Sequence, residues 1–230
     1  MPITLLQLRT ESRQRADMVN SNFVTDAELT GYINNSISEL HDMLIQAYDG
    51  DYYINEVTFQ TSGSAESYSL ASLITAGDFY KLRGIDAKLN GSEWFTLKQF
   101  NFNERNKNQA TGLNYGLENV RYRLVGSTLR LTPVPDNNIS CKIWYIPLSQ
   151  TLTSDSDSYA DFNNFSEYVI VDAAIKMLQK EESDATLLLT QKAALKRRIE
   201  EAAGNREVGN GESISDVYAE NNDYYYGNTR

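Results

Sequence analysis

The chain has 230 residues, enough for one generous domain or two small ones, and its 41% hydrophobic and 23% charged residues are ordinary globular usage. Thirty-one acidic against 21 basic residues leave a formal charge of −10, which argues against free-standing binding to nucleic acid or an anionic membrane, since both need a local Lys/Arg excess. One cysteine and one histidine exclude an internal disulfide, a zinc finger, a CxxC redox centre and any chemistry needing two imidazoles.

The first fifty residues read as two helices. Ile3, Leu6 and Leu8 open one that runs to about Val19, where Asn20-Ser21-Asn22 breaks it. Thr25 and Glu28 form a capping box for the second. Leu29, Ile33, Ile37, Leu40, Leu44 and Tyr48 then recur every three or four positions, laying one apolar stripe that ends at Asp49-Gly50.

Residues 51–150 change period. Strand patterns cover 53–59, 68–73 and 80–89, with a turn at Ser62-Gly63-Ser64 and a hairpin signal at Asn90-Gly91; residues 92–100 continue that pairing. Residues 100–108 read as a short helix or exposed loop, and 109–118, with Gly112 and Gly116, as a flexible excursion. Residues 120–125 and 128–132 alternate across Gly126-Ser127, residues 133–138 turn again, and Ile139, Cys141, Ile143 and Tyr145 share one face of a last strand ending at Pro147. Cys141 is thereby a small core residue rather than a reactive thiol.

After an acidic loop, helix returns over 166–182, with Phe165 as a staple before its cap, and again from an Asp184 cap to Ala203, stopped by Gly204-Asn205. Lys176 and Lys180, and then Lys196, Arg197 and Arg198, fall toward the helix C-termini, as solvated ends that suit the macrodipole. The fold class is α+β: helices over 1–50 and 151–203 close into a small bundle around a β-rich insertion, 51–150. Residues 204–230 lose all period and form a flexible arm. Tyrosine is the unusual count, fifteen against eight Phe and two Trp, and four of the fifteen (Tyr218, Tyr224, Tyr225, Tyr226) sit in that arm. Such a segment is expected to order on a partner, because tyrosine is enriched at interfaces.

Sites for chemistry are sparse. No Walker loop, GxGxxG, GxSxG or HExxH motif occurs. Asp155, Asp157 and Asp161 imitate an EF-hand start, but Tyr159, Ala160 and Ser166 stand where a ligand, glycine and closing glutamate belong, so these acids read as solvating a loop. His41 flanks the apolar stripe beside Asp42 as a surface or half-buried residue. Arg121, Tyr122, Arg123 and Arg130 read as a sheet-edge or subunit contact rather than a stacking platform for nucleic acid. No metal or other cofactor is expected. No stretch approaches the roughly 20 apolar residues of a membrane span, and Met1-Pro2-Ile3-Thr4 lacks the features of a secretory signal, so synthesis in a reducing cytoplasm is expected.

The order of pieces carries more than any motif. Phe23-Val24-Thr25-Asp26-Ala27-Glu28-Leu29 opens a long helix with Tyr32, Ile33 and Asn34, and Ala47-Tyr48 with Asp51-Tyr52-Tyr53 closes it. Phe79-Tyr80-Lys81-Leu82-Arg83-Gly84-Ile85-Asp86 precedes Trp94-Phe95 and then Phe102-Asn103-Glu104-Arg105-Asn106. Tyr145-Ile146-Pro147 stands before the last loop and two helices. This arrangement resembles the head–tail adaptor (connector, or tail accessory) proteins of tailed double-stranded DNA bacteriophages.

The resemblance implies a non-enzymatic structural protein of the virion, made in the host cytoplasm and placed at the head–tail junction. It implies a homo-oligomeric ring, usually of twelve copies, beneath the portal protein, bridging it to the next neck or tail protein and helping to retain packaged DNA, which passes through the lumen without specific binding. The C-terminal extension of that family docks onto the portal, which points to Ile214, Val217, Tyr218, Tyr224, Tyr225 and Tyr226 as portal-binding residues. The alternatives are a peptidoglycan-degrading tail accessory enzyme acting through carboxylates, and a non-catalytic interaction module with a tyrosine-bearing arm.

Overall fold

Where apolar residues recur every three or four positions the chain is helical, and where they alternate it forms sheet, giving a mixed α+β protein. The computed structural model describes residues 2–48, 52–89, 93–105, 120–135, 138–160 and 164–205.

The chain opens as a short strand, β1 (Ile3–Thr4), and continues as α1 (Leu5–Arg15). Thr4 and Gln7 make a reciprocal capping box: the Gln7 N–H donates to the Thr4 hydroxyl at 3.2 Å, and the Thr4 N–H to Gln7 Oε1 at 2.9 Å. The helix therefore starts two residues later than the apolar pattern suggests. It also stops earlier than Val19, because Asp17 turns left-handed (φ 57) and the Met18 and Asp17 N–H groups close back on the Arg13 and Gln14 carbonyls. That is a Schellman stop.

Next comes α2 (Asp26–Ala47), whose Leu29, Ile33, Ile37, Leu40 and Leu44 are all at most 1% exposed. Thr25 accepts the Glu28 N–H. The Glu28 carboxylate accepts from the Lys180 ammonium (2.6 Å) and the Tyr32 hydroxyl (2.9 Å), and these, with a smaller contribution from the Thr25 backbone N–H, lower its carboxyl.

The sheet region comprises β2 (Asn55–Gln60), β3 (Ser67–Ser69), a helical turn α3 (Leu70–Leu73), β4 (Phe79–Leu89), β5 (Glu93–Thr96), β6 (Lys98–Gln99), β7 (Arg121–Val125), β8 (Thr128–Thr132) and β9 (Ser140–Pro147). Two four-stranded sheets result, ordered β2-β9-β4-β5 and β3-β8-β7-β6. Their facing residues, including Phe59, Ile85, Leu97, Leu129, Leu131, Cys141 and Ile143, share one apolar core.

Two stretches depart from the alternating reading. Residues 68–73 do not stay extended: after β3 the chain coils into α3, which brings Leu70 and then Ile74 into the core. Residues 92–100 leave the first hairpin. The Leu97 N–H still reaches the Ile85 carbonyl, but β6 then pairs in parallel with β7 of the other sheet. Burial of Leu97 between the sheets accounts for the crossing. Residues 100–108 begin with a 3-10 turn, Phe102–Glu104. The Asn90-Gly91 turn lies outside the described residues, although Leu89 and Glu93 on its flanks are paired; so does the whole of 109–118.

The chain then returns to helix. A two-residue strand, β10 (Ser158–Tyr159), pairs antiparallel with β1. α4 (Ser166–Lys180) follows, buried at Tyr168, Val169, Ile170, Val171, Ala173, Ala174, Ile175 and Met177, and packs on α1, α2 and the last helix, α5 (Thr186–Gly204). Phe165 occupies the N-cap position of α4 itself, 2% exposed, rather than stapling from before it. Glu182 (φ 59) ends α4 in a second Schellman stop, two residues short of the expected end. Asp184 serves α5 as expected in substance, accepting the Thr186 N–H at 2.9 Å, although Ala185 stands at the N-cap.

A second apolar core unites residues on both sides of the sheets, from Leu5 through the α2 stripe and Tyr52 to Leu152, α4, Ile199 and Ala203. Tyr80 of β4 links the two parts by donating to Asp42 of α2 (3.0 Å), while α2 holds the chain that leaves the sheets: Ser38 meets Ser149 (2.7 Å), and Asn34 exchanges two hydrogen bonds of 2.9 Å with the Leu152 backbone.

Candidate functional site

The densest cluster of ionisable groups lies among the helices. Residue 172 falls on the inward face of α4, so Asp172 is 1% exposed, the one buried carboxylate among the described residues. Lys176, one turn on, meets its Oδ2 at 2.6 Å, and Lys192 of α5 meets its Oδ1 at 2.6 Å. The Ser36 hydroxyl of α2 donates to Oδ2 at 2.5 Å. Glu39 sits 3.3 Å from both lysines and accepts from the Tyr168 hydroxyl at 3.2 Å, while Lys192 lies over the Tyr168 ring.

Two lysines thus balance two carboxylates. Burial pushes the Asp172 carboxyl up, but hydrogen bonds from Lys176, Lys192 and Ser36 outweigh it and hold the group below its ordinary value. Burial pulls Lys192 down, and Asp172 more than reverses that, so the ammonium is held charged. Burial also pushes the Tyr168 phenol up to about 12. A glycosidase acid needs a raised carboxyl that keeps its proton near neutrality. Asp172 has the opposite bias and acts as a structural anion tying α2, α4 and α5 together.

This arrangement corrects the reading of Lys176 and Lys180 as a solvated helix end. Lys180 donates to Glu28 and to the Phe23 carbonyl (3.0 Å) and lies over the Phe23 ring. Lys196 and Arg197 pair one turn on with Glu200 and Glu201, in the expected solvated manner.

The acidic loop is also committed to structure. Asp155 pairs with Arg9 at 2.6 Å, and Asp157 accepts the Thr153 and Ser154 N–H groups at 2.8 Å, which lowers its carboxyl. Asp161 lies outside the described residues. Among the described residues no three His, Cys, Asp or Glu are placed to hold a metal ion, and no helix is long and apolar enough to cross a membrane.

The arginine hairpin is not a sheet edge, because β7 has β8 on one side and β6 on the other. Tyr122 is buried, Arg123 donates to the Phe100 carbonyl (3.0 Å) and covers the Phe102 ring, and Arg130 faces Glu66 at 3.6 Å. A different sheet carries an aromatic and cationic face that the alternation alone does not reveal. Lys142 of β9 lies 5.1 Å from the Trp94 ring and 5.0 Å from the Trp144 ring, and pairs with Glu56 at 2.9 Å. The Trp144 indole N–H donates to Asp86 at 2.6 Å. These residues span the sheet, Glu56 on β2, Lys142 and Trp144 on β9, Asp86 on β4 and Trp94 on β5, and such cross-strand contacts stiffen a sheet face.

Cys141 is fully buried, and burial pushes its thiol up to about 12. An aromatic disulfide reagent is expected to leave the native protein unlabelled at pH 8 and to label one thiol per chain in urea; labelling of the native protein would contradict this.

His41 is more enclosed than the stripe pattern suggests. It is 6% exposed, stacked on Tyr53 with ring centroids 4.6 Å apart and set edge-on to Tyr80 at 6.0 Å. Burial lowers its basicity against the opposing pull of Asp42. It lines a cavity of about 200 Å³ between α2 and the end of β9, with Ile37, Tyr53, Leu148 and Tyr159. The imidazole Nε2 has no hydrogen-bond partner among the described residues.

The six residues singled out for partner binding, Ile214, Val217, Tyr218, Tyr224, Tyr225 and Tyr226, lie outside the described residues. Neither a scan against protein-family models nor a search of curated proteins finds a match to this chain.

Proposed function

We propose that the protein is a structural head–tail adaptor of a tailed bacteriophage, assembling as a ring under the portal and bridging it to the next neck or tail protein. The observation that supports this reading most is the split core. Residues 5–52 and 152–203 build one apolar centre, with the two-sheet unit inserted between them. That order of parts is what the resemblance implies: a bundle of two N-terminal and two C-terminal helices, a β-rich insertion, and an arm continuing from α5.

The chemistry fits a scaffold better than a catalyst. The buried carboxylate is neutralised by two lysines, and the loop acids are consumed in an ion pair and a turn. A ring needs many modest contacts that reinforce one another, since each bound copy raises the effective concentration at its neighbour's site. An arm bearing four tyrosines adds aromatic anchors of the kind that dominate interfaces. The charge of −10 suits a lumen that repels DNA phosphates and lets the genome slide.

The test is electron microscopy of the full chain mixed with its portal protein, beside a chain lacking residues 206–230. Rings on the portal are expected only with the arm. Loss of four aromatic anchors at more than about 1 kcal/mol each weakens binding by at least about 100-fold. The far-UV circular dichroism should be unchanged. Portal rings of the shortened chain would overturn the arm's role, and absence of rings with the full chain would overturn the adaptor reading.

A further inference from the structure

The outer face of the second sheet departs from the charge of the rest of the molecule. Its strands β3, β8, β7 and β6 carry Lys98, Arg121, Arg123 and Arg130 and no acidic residue. Tyr122, Leu129 and Leu131 alternate inward to the core, so the three arginines share the opposite face. Register sets Arg123 directly opposite Arg130, and Lys98 opposite Arg121. Like charges facing each other across strands destabilise a sheet. The 3-10 turn brings in a fourth guanidinium: Arg105 and Arg123 lie 4.8 and 5.7 Å from the same Phe102 ring.

These cations lack what the helices supply. There Arg9, Arg13, Arg15, Lys176, Lys180 and Lys192 each meet a carboxylate at 2.6–2.9 Å. On the sheet face Arg105 and Arg123 donate only to the Phe102 and Phe100 carbonyls, and Arg130 has Glu66 at 3.6 Å. Among the described residues no carboxylate meets Arg105, Arg121 or Arg123. Arg105, Arg130, Glu66 and Phe102 line a cavity of about 100 Å³, roughly the room of three waters and enough for one carboxylate. Arg130 and Phe102 are about half exposed, so the cavity is open to a partner. Planar guanidinium groups suit carboxylates and phosphates alike.

The chain itself carries the complementary charge. Outside residues 53–150 it holds 23 acidic and 11 basic residues. Glu181, Glu182 and Asp184 fall within four positions at the turn from α4 to α5, all exposed and without a cationic partner among the described residues. Two distinct patches of opposite sign on one chain make a heterologous contact, which runs head to tail and can close a ring. A DNA backbone offers the same charge to the arginines, but it leaves the acidic turn unused and must approach a chain of −10.

We propose that the arginine face of β7 and β8, with Arg105, receives the acidic α4–α5 turn of a second copy, Glu181 to Asp184. The choice of a second copy rests on the ring reading, for which this is the contact between neighbours.

The full chain is followed by sedimentation up to about 1 mM, which detects contacts of millimolar strength. Wild type is expected to associate, and at least about tenfold more weakly when salt rises from about 0.05 to about 0.5 M. One variant carries Arg121→Gln and Arg130→Gln; the other carries Glu181→Gln, Glu182→Gln and Asp184→Asn, the last keeping a cap for α5. Equal far-UV circular dichroism checks that both fold. Each alone should associate at least about tenfold more weakly than wild type. Mixed, they should form a 1:1 pair and nothing larger, because one intact arginine face meets one intact acidic turn.

A wild-type chain that stays monomeric would overturn the contact, as would variants that associate like wild type or a mixture no larger than either alone. A labelled DNA duplex held by wild type and released by the arginine variant, with self-association unchanged, would assign the face to nucleic acid instead. Rings of the arginine variant on the portal would overturn the contact and leave the ring reading standing. The expected 1:1 pair from a chain whose wild type forms no ring on the portal would do the reverse.

Discussion

Replacing Asp172 by alanine is expected to lower the free energy of unfolding by about 3–5 kcal/mol at pH 7, the usual result of breaking a buried ion pair from one side. In urea, at a slope of about 2 kcal/mol/M, the midpoint should fall by about 2 M. The loss does not measure what the network adds over an apolar core. It reflects Lys176 and Lys192, which are 22% and 27% exposed and would keep the more exposed Glu39 as their one anionic partner among the described residues. Asp172→Leu combined with Lys176→Met and Lys192→Met should accordingly recover most of the stability, since replacing a whole buried charge network by packed apolar groups is often neutral.

The pH dependence has a fixed sign. The Asp172 carboxyl is held below its ordinary value, so its stabilisation is present above the unfolded value near 4 and is lost as pH falls through the lower folded value. The gap between wild type and Asp172→Ala should therefore narrow below pH 4. A loss under about 1 kcal/mol at pH 7, or a gap that widens in acid, would show that Asp172 does not anchor the helices.

Leu40→Ala and Ile143→Ala are each expected to destabilise by about 2–5 kcal/mol, because both side chains are fully buried and leave cavities. They should do so in different places. Leu40 belongs to the helical core and Ile143 to the sheet core, two separate apolar clusters bridged by Tyr80, whose hydroxyl donates to Asp42 and whose ring lies edge-on to His41. Both tryptophans, Trp94 and Trp144, lie in the sheet unit. Tryptophan fluorescence thus reports the sheets, while ellipticity at 222 nm reports the helices. Leu40→Ala should shift the ellipticity transition and leave the fluorescence transition in place, and Ile143→Ala should do the reverse. Coincident shifts of both probes in either variant would show one cooperative unit.

Much of the fold is legible in the sequence where its cause is local. The α2 stripe, its Thr25 cap and the 120–132 hairpin depend on spacing and turn chemistry within a few residues, and each is found in place. The shorter α1 was readable in principle from Thr4 and Gln7, whose capping box marks the true start. What sequence does not disclose is long-range. Ser36 lies 136 positions from Asp172, and Arg9 lies 146 from Asp155, so no window contains either pair. The Glu28 carboxylate likewise meets a lysine 152 residues away. The crossing of β6 to the second sheet follows from where Leu97 finds burial, which alternation along one strand cannot indicate. His41 looked like a flank residue because the stripe records only α2's helical neighbours, not the sheets packed over its other side.

The division of the helical core between the two ends of the chain has a consequence for synthesis on the ribosome. β2 and β9, the first and last strands of the inserted unit, are neighbours in one sheet, with Asn55 opposite Tyr145. That unit can close once residue 147 has emerged. α1 and α2 cannot complete theirs: the core they share includes residues of α4 and α5, the last of which, Ala203, comes about 150 residues after α2 ends. At about 5–20 residues per second the α2 stripe stays uncovered for roughly 8–30 s. The nascent sheets are thus the first part to fold, and the earliest helices are the part most in need of shelter by chaperones during translation.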